Sequence, residues 1–466
     1  MLVAPIMLIR ANNKRFNNKN INSKGDNQTK PFAAFQNTIV TNFNNPKQYH
    51  PNMSFGKNPV LNLFKRFAVN ETNPLWDKFI AREKPFIKAL NDYRTIFRID
   101  FDRIIHSGSY SRMKGKTQVF SRPKNDMIST RITHVDQVAS IAEGIAEALG
   151  LNLKLTRAIA IGHDVGHAPF GHSGESKLNK IAKAENLNFT FWHEKNSLRF
   201  LDDIETKNSI NGNIENLNLT YAVRDGIISH CGEVDENGLK PRREYLDLRK
   251  VEKTDKIMPF TWEGCVMRIA DKIAYIGKDI EDALDVGLLS KTKLNDLRKT
   301  VNKNFGFDFD ELNNSILIKH FIADLLENSS PEKGLTFSEP TFNLMNKIKA
   351  FNYQEIYIPK SSVQDSYTDL VIETIYKKLL SLYKGENTLT NIDKMPKGQT
   401  ELSDSFKKWL IKYSDIATEK RNEKYKNNLV YSIMDKKDYK RSIIEYISGL
   451  TDESAINSFE SIIFPY

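Results

Sequence analysis

The chain has 466 residues, 40% of them hydrophobic and 27% charged, with a formal net charge of +10; it can bury a large core, as one large helical domain with appendages or as two domains. Two cysteines, Cys231 and Cys265, exclude a disulfide framework and make a reducing cytoplasm the expected setting. No segment is long and apolar enough for a membrane helix, and the apolar start at residues 1–9 lacks the flanks of a signal peptide.

Residues 12–52 are rich in Asn and Lys, and residues 1–60 are expected to form a flexible arm. A helical core is predicted over 61–335, with a mostly helical region, 336–466, packed on it. In 134–149 the apolar Val135, Val138, Ile141, Ala142, Ile145 and Leu149 recur at three- and four-residue steps, which predicts a helix closed by Gly150. The pattern repeats over 155–163, after which Gly166, Pro169 and Gly171 require irregular backbone. Further helices are predicted over 191–204, 221–229 and 262–284, with a charged, exposed excursion at 232–256. No strand-rich region and no internal repeat is evident. A basic run at 407–441 and the net charge suit a polyanionic partner such as single-stranded DNA, although lysine on ordinary solvated faces produces the same sum.

Five of the nine histidines, His134, His163, His167, His172 and His193, fall within about sixty residues. Water activation by a divalent ion needs neutral imidazoles and carboxylates held in fixed directions, with a coordination position left open. His134, His163, Asp164 and Asp271 form such a set, provided that helices distant in sequence clasp one ion. Adjacent His163 and Asp164 diverge by about 100° on an ideal helix. Asp271, Tyr275 and Asp279 share an arc of about 80° on a second helix, an arrangement that a solvated helix face would also give. His106 and His230 read first as structural residues, although the segment 227–233 could approach the pocket.

His134, then His163-Asp164, then Asp271 resembles the signature of the HD superfamily of metal-dependent phosphohydrolases. Arg103-Ile104-Ile105-His106-Ser107, Gly115-Lys116-Thr117-Gln118-Val119-Phe120, the run His163-Asp164-Val165-Gly166-His167-Ala168-Pro169-Phe170-Gly171-His172-Ser173-Gly174-Glu175 and the late Thr451-Asp452 narrow the likeness to the deoxyguanosinetriphosphate triphosphohydrolase family. The resemblance implies an all-α fold with an HD helical core and additional C-terminal helices. It also implies hydrolysis of a dNTP to deoxynucleoside and inorganic triphosphate, and a homo-oligomer, either a hexamer or an assembly of dimers.

In that family reading His134, His163, Asp164 and Asp271 hold a divalent metal, Mg2+ or Mn2+ first, with Fe2+ and Co2+ also compatible. His172, paired with Glu175, is the acid/base group, and His167 and His193 add donors to the phosphates. Arg131, Lys272 and Tyr275 neutralise or orient the triphosphate, Gln118 and Asp279 address the sugar, and Arg112 supports the pocket. The metal site by itself equally fits a nucleotidase or an alarmone hydrolase. A nucleic-acid-binding or nucleotide-sensing protein, modulated by single-stranded DNA or a nucleotide effector, is the third reading.

Overall fold

The computed structural model describes residues 63–121, 125–209, 211–231, 236–252, 257–416 and 418–464, the side chains of 361–363 and 418 excepted; the expected N-terminal arm lies outside the described residues. The architecture is all-α. Helices of seven or more residues are α1 (Ile96–Ile105), α2 (Arg131–Leu149), α3 (Leu153–Gly162), α4 (His172–Ala184), α5 (His193–Arg199), α6 (Tyr221–Ile228) and α7 (Trp262–Asp285). They are followed by α8 (Lys291–Phe305), α9 (Asn314–Asn328), α10 (Glu339–Asn352), α11 (Ile358–Ser381), α12 (Thr400–Tyr413), α13 (Lys436–Ser448) and α14 (Asp452–Ile463).

The predicted stripe of α2 is buried, with Val135, Val138, Ala142, Ile145 and Leu149 shielded from solvent. It packs on α3 and on α7, whose Val266, Ile269, Ala270, Ile273, Ile276 and Ile280 form the facing surface. Each fully buried aliphatic side chain of this kind contributes about 1.5–3 kcal/mol, so the α2–α7 contact fixes the relative position of the residues these helices carry. Gly150 closes α2 in the left-handed region, φ 72°, and its N–H reaches the Ala146 and Glu147 carbonyls. Asn152 caps α3 by accepting from the Lys154 and Leu155 amides, and Thr261 caps α7 by accepting from that of Gly264.

The apolar side chains gather into two clusters. One joins α1–α3, α6, α7 and α9–α10; the other joins Ala168, Phe170 and the apolar faces of α4 and the α5 region to α11–α14. The segment 163–171 passes from the first to the second, since Val165 belongs to one and Phe170 to the other.

Three local expectations change. The predicted 191–204 helix is α5 followed by a π-helical turn, Phe200–Ile204. A short antiparallel hairpin follows, β1 (Thr206–Asn208) and β2 (Ile214–Asn216), with Thr206 opposite Asn216. In the charged excursion, the described part is anchored rather than simply exposed: Leu239, Leu248 and Val251 are buried, and Arg249 binds Glu83 and Asp203 at 2.6 and 3.1 Å. Charge alone hid those apolar anchors. In the basic run, Lys407 pairs with Asp393, Lys440 with Glu185 and Arg441 with Glu445, each at 2.5–2.7 Å, so several of its cations already have carboxylate partners.

Gly166 marks the tightest approach between the elements of the site. A Cβ there would lie 2.1 Å from the Ser197 backbone nitrogen and 2.4 Å from the Asn196 carbonyl carbon, where only backbone can yield. Gly166→Ala is expected to destabilise the fold by about 3 kcal/mol, at the upper end of ordinary overpacking, read as a shift in the denaturant midpoint. An unchanged midpoint would show that α5 is free to move away from the turn.

Candidate metal centre

His134 stands in the first turn of α2, and Asp271 lies midway along α7. The α2–α7 packing brings His134 Nε2 to 3.0 Å from Asp271 Oδ1. α3 ends at Gly162, so His163 is the capping residue beyond the helix and Asp164 lies in the following turn. His163 still has helical backbone angles, φ −62° and ψ −40°, and the chain turns only beyond it. The turn directs both inward, with His163 Nε2 3.4 Å from Asp164 Oδ1 and 3.9 Å from Asp271 Oδ1.

A hydrogen bond fixes the imidazole tautomer. His163 Nδ1–H donates to the Ala160 carbonyl at 2.6 Å, which leaves the Nε2 lone pair facing the carboxylates. That Nε2 is buried and makes no hydrogen bond. A buried acceptor nitrogen without a donor is costly unless something electrophilic meets it, and two ionised carboxylates beside it suit a divalent cation. His134, His163 and Asp164 present ligand atoms within 4.8 Å of one another, as do His163, His230 and Asp271. The cluster has the donors to hold a divalent metal.

His230 joins the cluster although its sequence context marks it as structural. It repeats the geometry of His163, with Nδ1–H donating to the Ile227 carbonyl at 2.6 Å, and its Nε2 lies 3.8 Å from Asp164 Oδ1. The two rings are 4.9 Å apart. Burial holds the His230 pKa down at about 4, so it stays a neutral donor at pH 7. The shared signal was a histidine just beyond the C-terminus of a buried helix. His106, by contrast, is exposed at the end of α1.

Next to the cluster lies a second group. His167 lies against His193 with centroids 3.9 Å apart and the rings tilted by 33°, and its buried Nδ1 stands 3.2 Å from Asp164 Oδ1. Burial and the Arg131 charge depress its pKa well below the usual range. His193 Nδ1 donates to Glu175 Oε2 at 3.1 Å, while His172 Nδ1 lies 3.6 Å from the same oxygen. Glu175 is thus shared between a half-buried imidazole and one whose side chain is 66% exposed. Burial disfavours charge on His193, but Glu194 and Glu175 outweigh it and raise its pKa to about 10.

The remaining candidates are distributed unevenly. Arg131 is buried and binds Asp164 Oδ2 at 2.8 Å and the Thr117 and Gln118 carbonyls at 3.2 Å, so its charge is already engaged by a metal-site carboxylate. Gln118 Oε1 is buried and without a partner. On α7, Lys272 is buried and Tyr275 half-buried, while Asp279 accepts from the Tyr357 hydroxyl at 2.6 Å. Burial raises Asp279 to about 6 against the opposing effect of that bond. Tyr357 was not legible in the sequence, because only the packing of the π-helical turn after α10 against α7 places it there. Arg112 binds Glu205 at 3.0 Å and lines a cavity of about 490 Å3 whose walls include none of the metal-cluster residues.

A helical core that carries histidine, histidine-aspartate and aspartate in this arrangement defines an HD domain, and the HD domain family model matches residues 131–276. Three curated relatives are each named a deoxyguanosinetriphosphate triphosphohydrolase-like protein. That of Caldanaerobacter subterraneus is 32% identical over 376 residues, covering 80% of this chain and 86% of its own. That of Clostridium tetani is 33% identical over 379 residues, 80% and 87%, and that of Clostridium perfringens strain SM101 is 32% identical over 403 residues, 86% and 96%. The chain belongs to the deoxyguanosinetriphosphate triphosphohydrolase-like family of HD-domain proteins. Among the described residues no helix is long and apolar enough to cross a membrane.

Proposed function

We propose that the protein hydrolyses deoxynucleoside triphosphates to deoxynucleoside and inorganic triphosphate, with His134, His163, Asp164 and Asp271 holding a divalent metal, Mg2+ or Mn2+. The observation that carries this reading is the direct adjacency of the metal cluster to a Glu175-centred histidine pair, bridged by the His167 and His193 rings. A divalent ion in the cluster supplies positive charge that polarises a phosphate oxygen and makes water a stronger nucleophile at neutral pH.

The chain's own groups complete the chemistry. Water adds to the α-phosphorus as the bond from phosphorus to the 5′-oxygen breaks, His172 delivers a proton to the departing alkoxide, and the proton the water gives up restores the imidazolium. Glu175 stays ionised and orients that imidazole. His193, held cationic by Glu194 and Glu175, offers a half-buried positive donor to the phosphates, and Lys272 adds a second charge. Tyr275 orients the triphosphate, and Gln118 and Asp279 address the sugar, with the Tyr357 hydroxyl fixing the Asp279 carboxylate.

Incubation of the protein with each dNTP and NTP, with Mn2+ or Mg2+ and with EDTA, tests the proposal. The expected products are deoxynucleoside and tripolyphosphate, formed only with metal. Monophosphate, phosphate or pyrophosphate as the product would move the assignment to a nucleotidase or alarmone hydrolase, and no turnover at all would reject an autonomous hydrolase.

A further inference from the structure

The Thr451-Asp452 pair, singled out in the sequence and given no role by the chemistry above, sits where the C-terminal helices meet the site. Asp452 opens α14 and is 5% exposed. Its Oδ1 accepts from the Phe170 amide at 2.9 Å, and its Oδ2 accepts from the Thr117 amide at 3.2 Å and from the Thr117 hydroxyl. One carboxylate therefore ties together two segments that are distant in sequence: the one that presents Gln118, and the turn between His167 and His172.

Other ties come from the same place. Lys116, 2% exposed, donates through Nζ to the His167 carbonyl and, at 2.8 Å, to the Ser448 carbonyl at the end of α13. Asn196 Nδ2 binds the Gly166 carbonyl at 2.6 Å and Ser448 Oγ at 3.2 Å.

The turn needs such support. Phe170 has φ 63°, the left-handed region, which a bulky aromatic residue rarely adopts, and Gly171 follows at φ 61°. Strained backbone of this kind persists only where the surroundings over-determine it. The bond from the Phe170 amide to Asp452 and the burial of the Phe170 ring among C-terminal side chains supply that determination. α4 begins at His172, two residues beyond Phe170, so the turn sets where the His172 and Glu175 side chains point.

We propose that Asp452 is a positioning residue: through its bonds to Phe170 and Thr117, the C-terminal helices set the placement of His172 and Glu175 relative to the metal cluster and to Gln118. This rests on the hydrolase reading for its catalytic consequence but not for its geometry.

The test uses the full-length protein with Asp452→Ala and the conservative Asp452→Asn, which keeps the volume and one acceptor. In Asp452→Ala, amide hydrogen exchange at Thr117 and Phe170 is expected to speed at least about tenfold while α2 and α7 keep their protection. The kcat is expected to fall about 100-fold, the scale of a small misplacement of reacting groups, with KM and bound metal nearly unchanged. Asp452→Asn should lie between the two. A purely structural role would instead lower stability with kcat per folded molecule preserved, and that result overturns the proposal, as does unaltered exchange at both amides. If Asp452→Ala does not fold, exchange and kcat of Asp452→Asn decide by the same criteria. If wild-type protein turns over no nucleotide, the hydrolase reading falls, and the exchange measurement still decides whether Asp452 holds the turn.

Discussion

His163→Ala is expected to lower turnover of every dNTP by about a thousandfold or more while leaving the fold intact, a loss comparable to removing a principal electrostatic element of an active site. His163 is fully buried, its Nδ1 is committed to the Ala160 carbonyl, and its Nε2 has no partner within the protein. Removing the ring deletes a ligand together with the bond to the Ala160 carbonyl and the packing of a fully buried side chain, so stability is measured beside activity. Metal bound per chain, measured by elemental analysis after gel filtration, should fall with activity, and the thermal midpoint of the metal-free protein reads the separate cost of the lost ring packing. Asp164→Ala is a poorer probe. Asp164 balances the buried Arg131 guanidinium at 2.8 Å, and breaking such a pair costs about 3–5 kcal/mol, so lost activity there would mix unfolding with lost ligation. Full activity in His163→Ala would exclude the cluster as the catalytic metal site.

Glu175→Gln should lower kcat by about 100-fold, within the range for a general acid–base element, and should change the pH response in a specific direction. His193 keeps its proton to about pH 10 despite burial because Glu194 and Glu175 face it. Its folded pKa lies above the unfolded value of about 6.5. The stability this contributes is therefore fully present below about pH 6.5 and is lost as pH rises through 10. With one of the two carboxylates neutralised, the His193 pKa must fall, so the variant loses stability and activity at alkaline pH sooner than wild type. Imidazole NMR titration of metal-free protein reads the shift directly. A His193 titration that does not move, with kcat unaltered at pH 9, would remove Glu175 from the proton-transfer group.

The helices that carry the site were largely legible, since burial of one face imposes a three- and four-residue recurrence that survives in α2, α3 and α7. The clustering of these four residues was legible for a different reason: the order and spacing of His134, His163-Asp164 and Asp271 match a known family pattern. What escaped is what packing alone decides. His230 enters because the backbone beyond α6 turns it toward His163, and Tyr357 because a π-helical turn lies against α7 more than seventy residues away. Glu175 was assigned to His172 by its spacing of three residues, whereas the closer partner is His193, eighteen positions on. Periodicity states which face is buried and is silent about which neighbour covers it.

The passage of the 163–171 segment between two apolar clusters bears on modularity. Phe170, Leu178, Phe191 and Phe200 precede α11 in sequence yet are covered by side chains from the last hundred residues. The stretch that matches the HD family model is therefore not a cassette that recombination could transplant whole, because its own phenylalanines would arrive uncovered. Selection has to act on the middle of this chain and on its last hundred residues as one heritable unit.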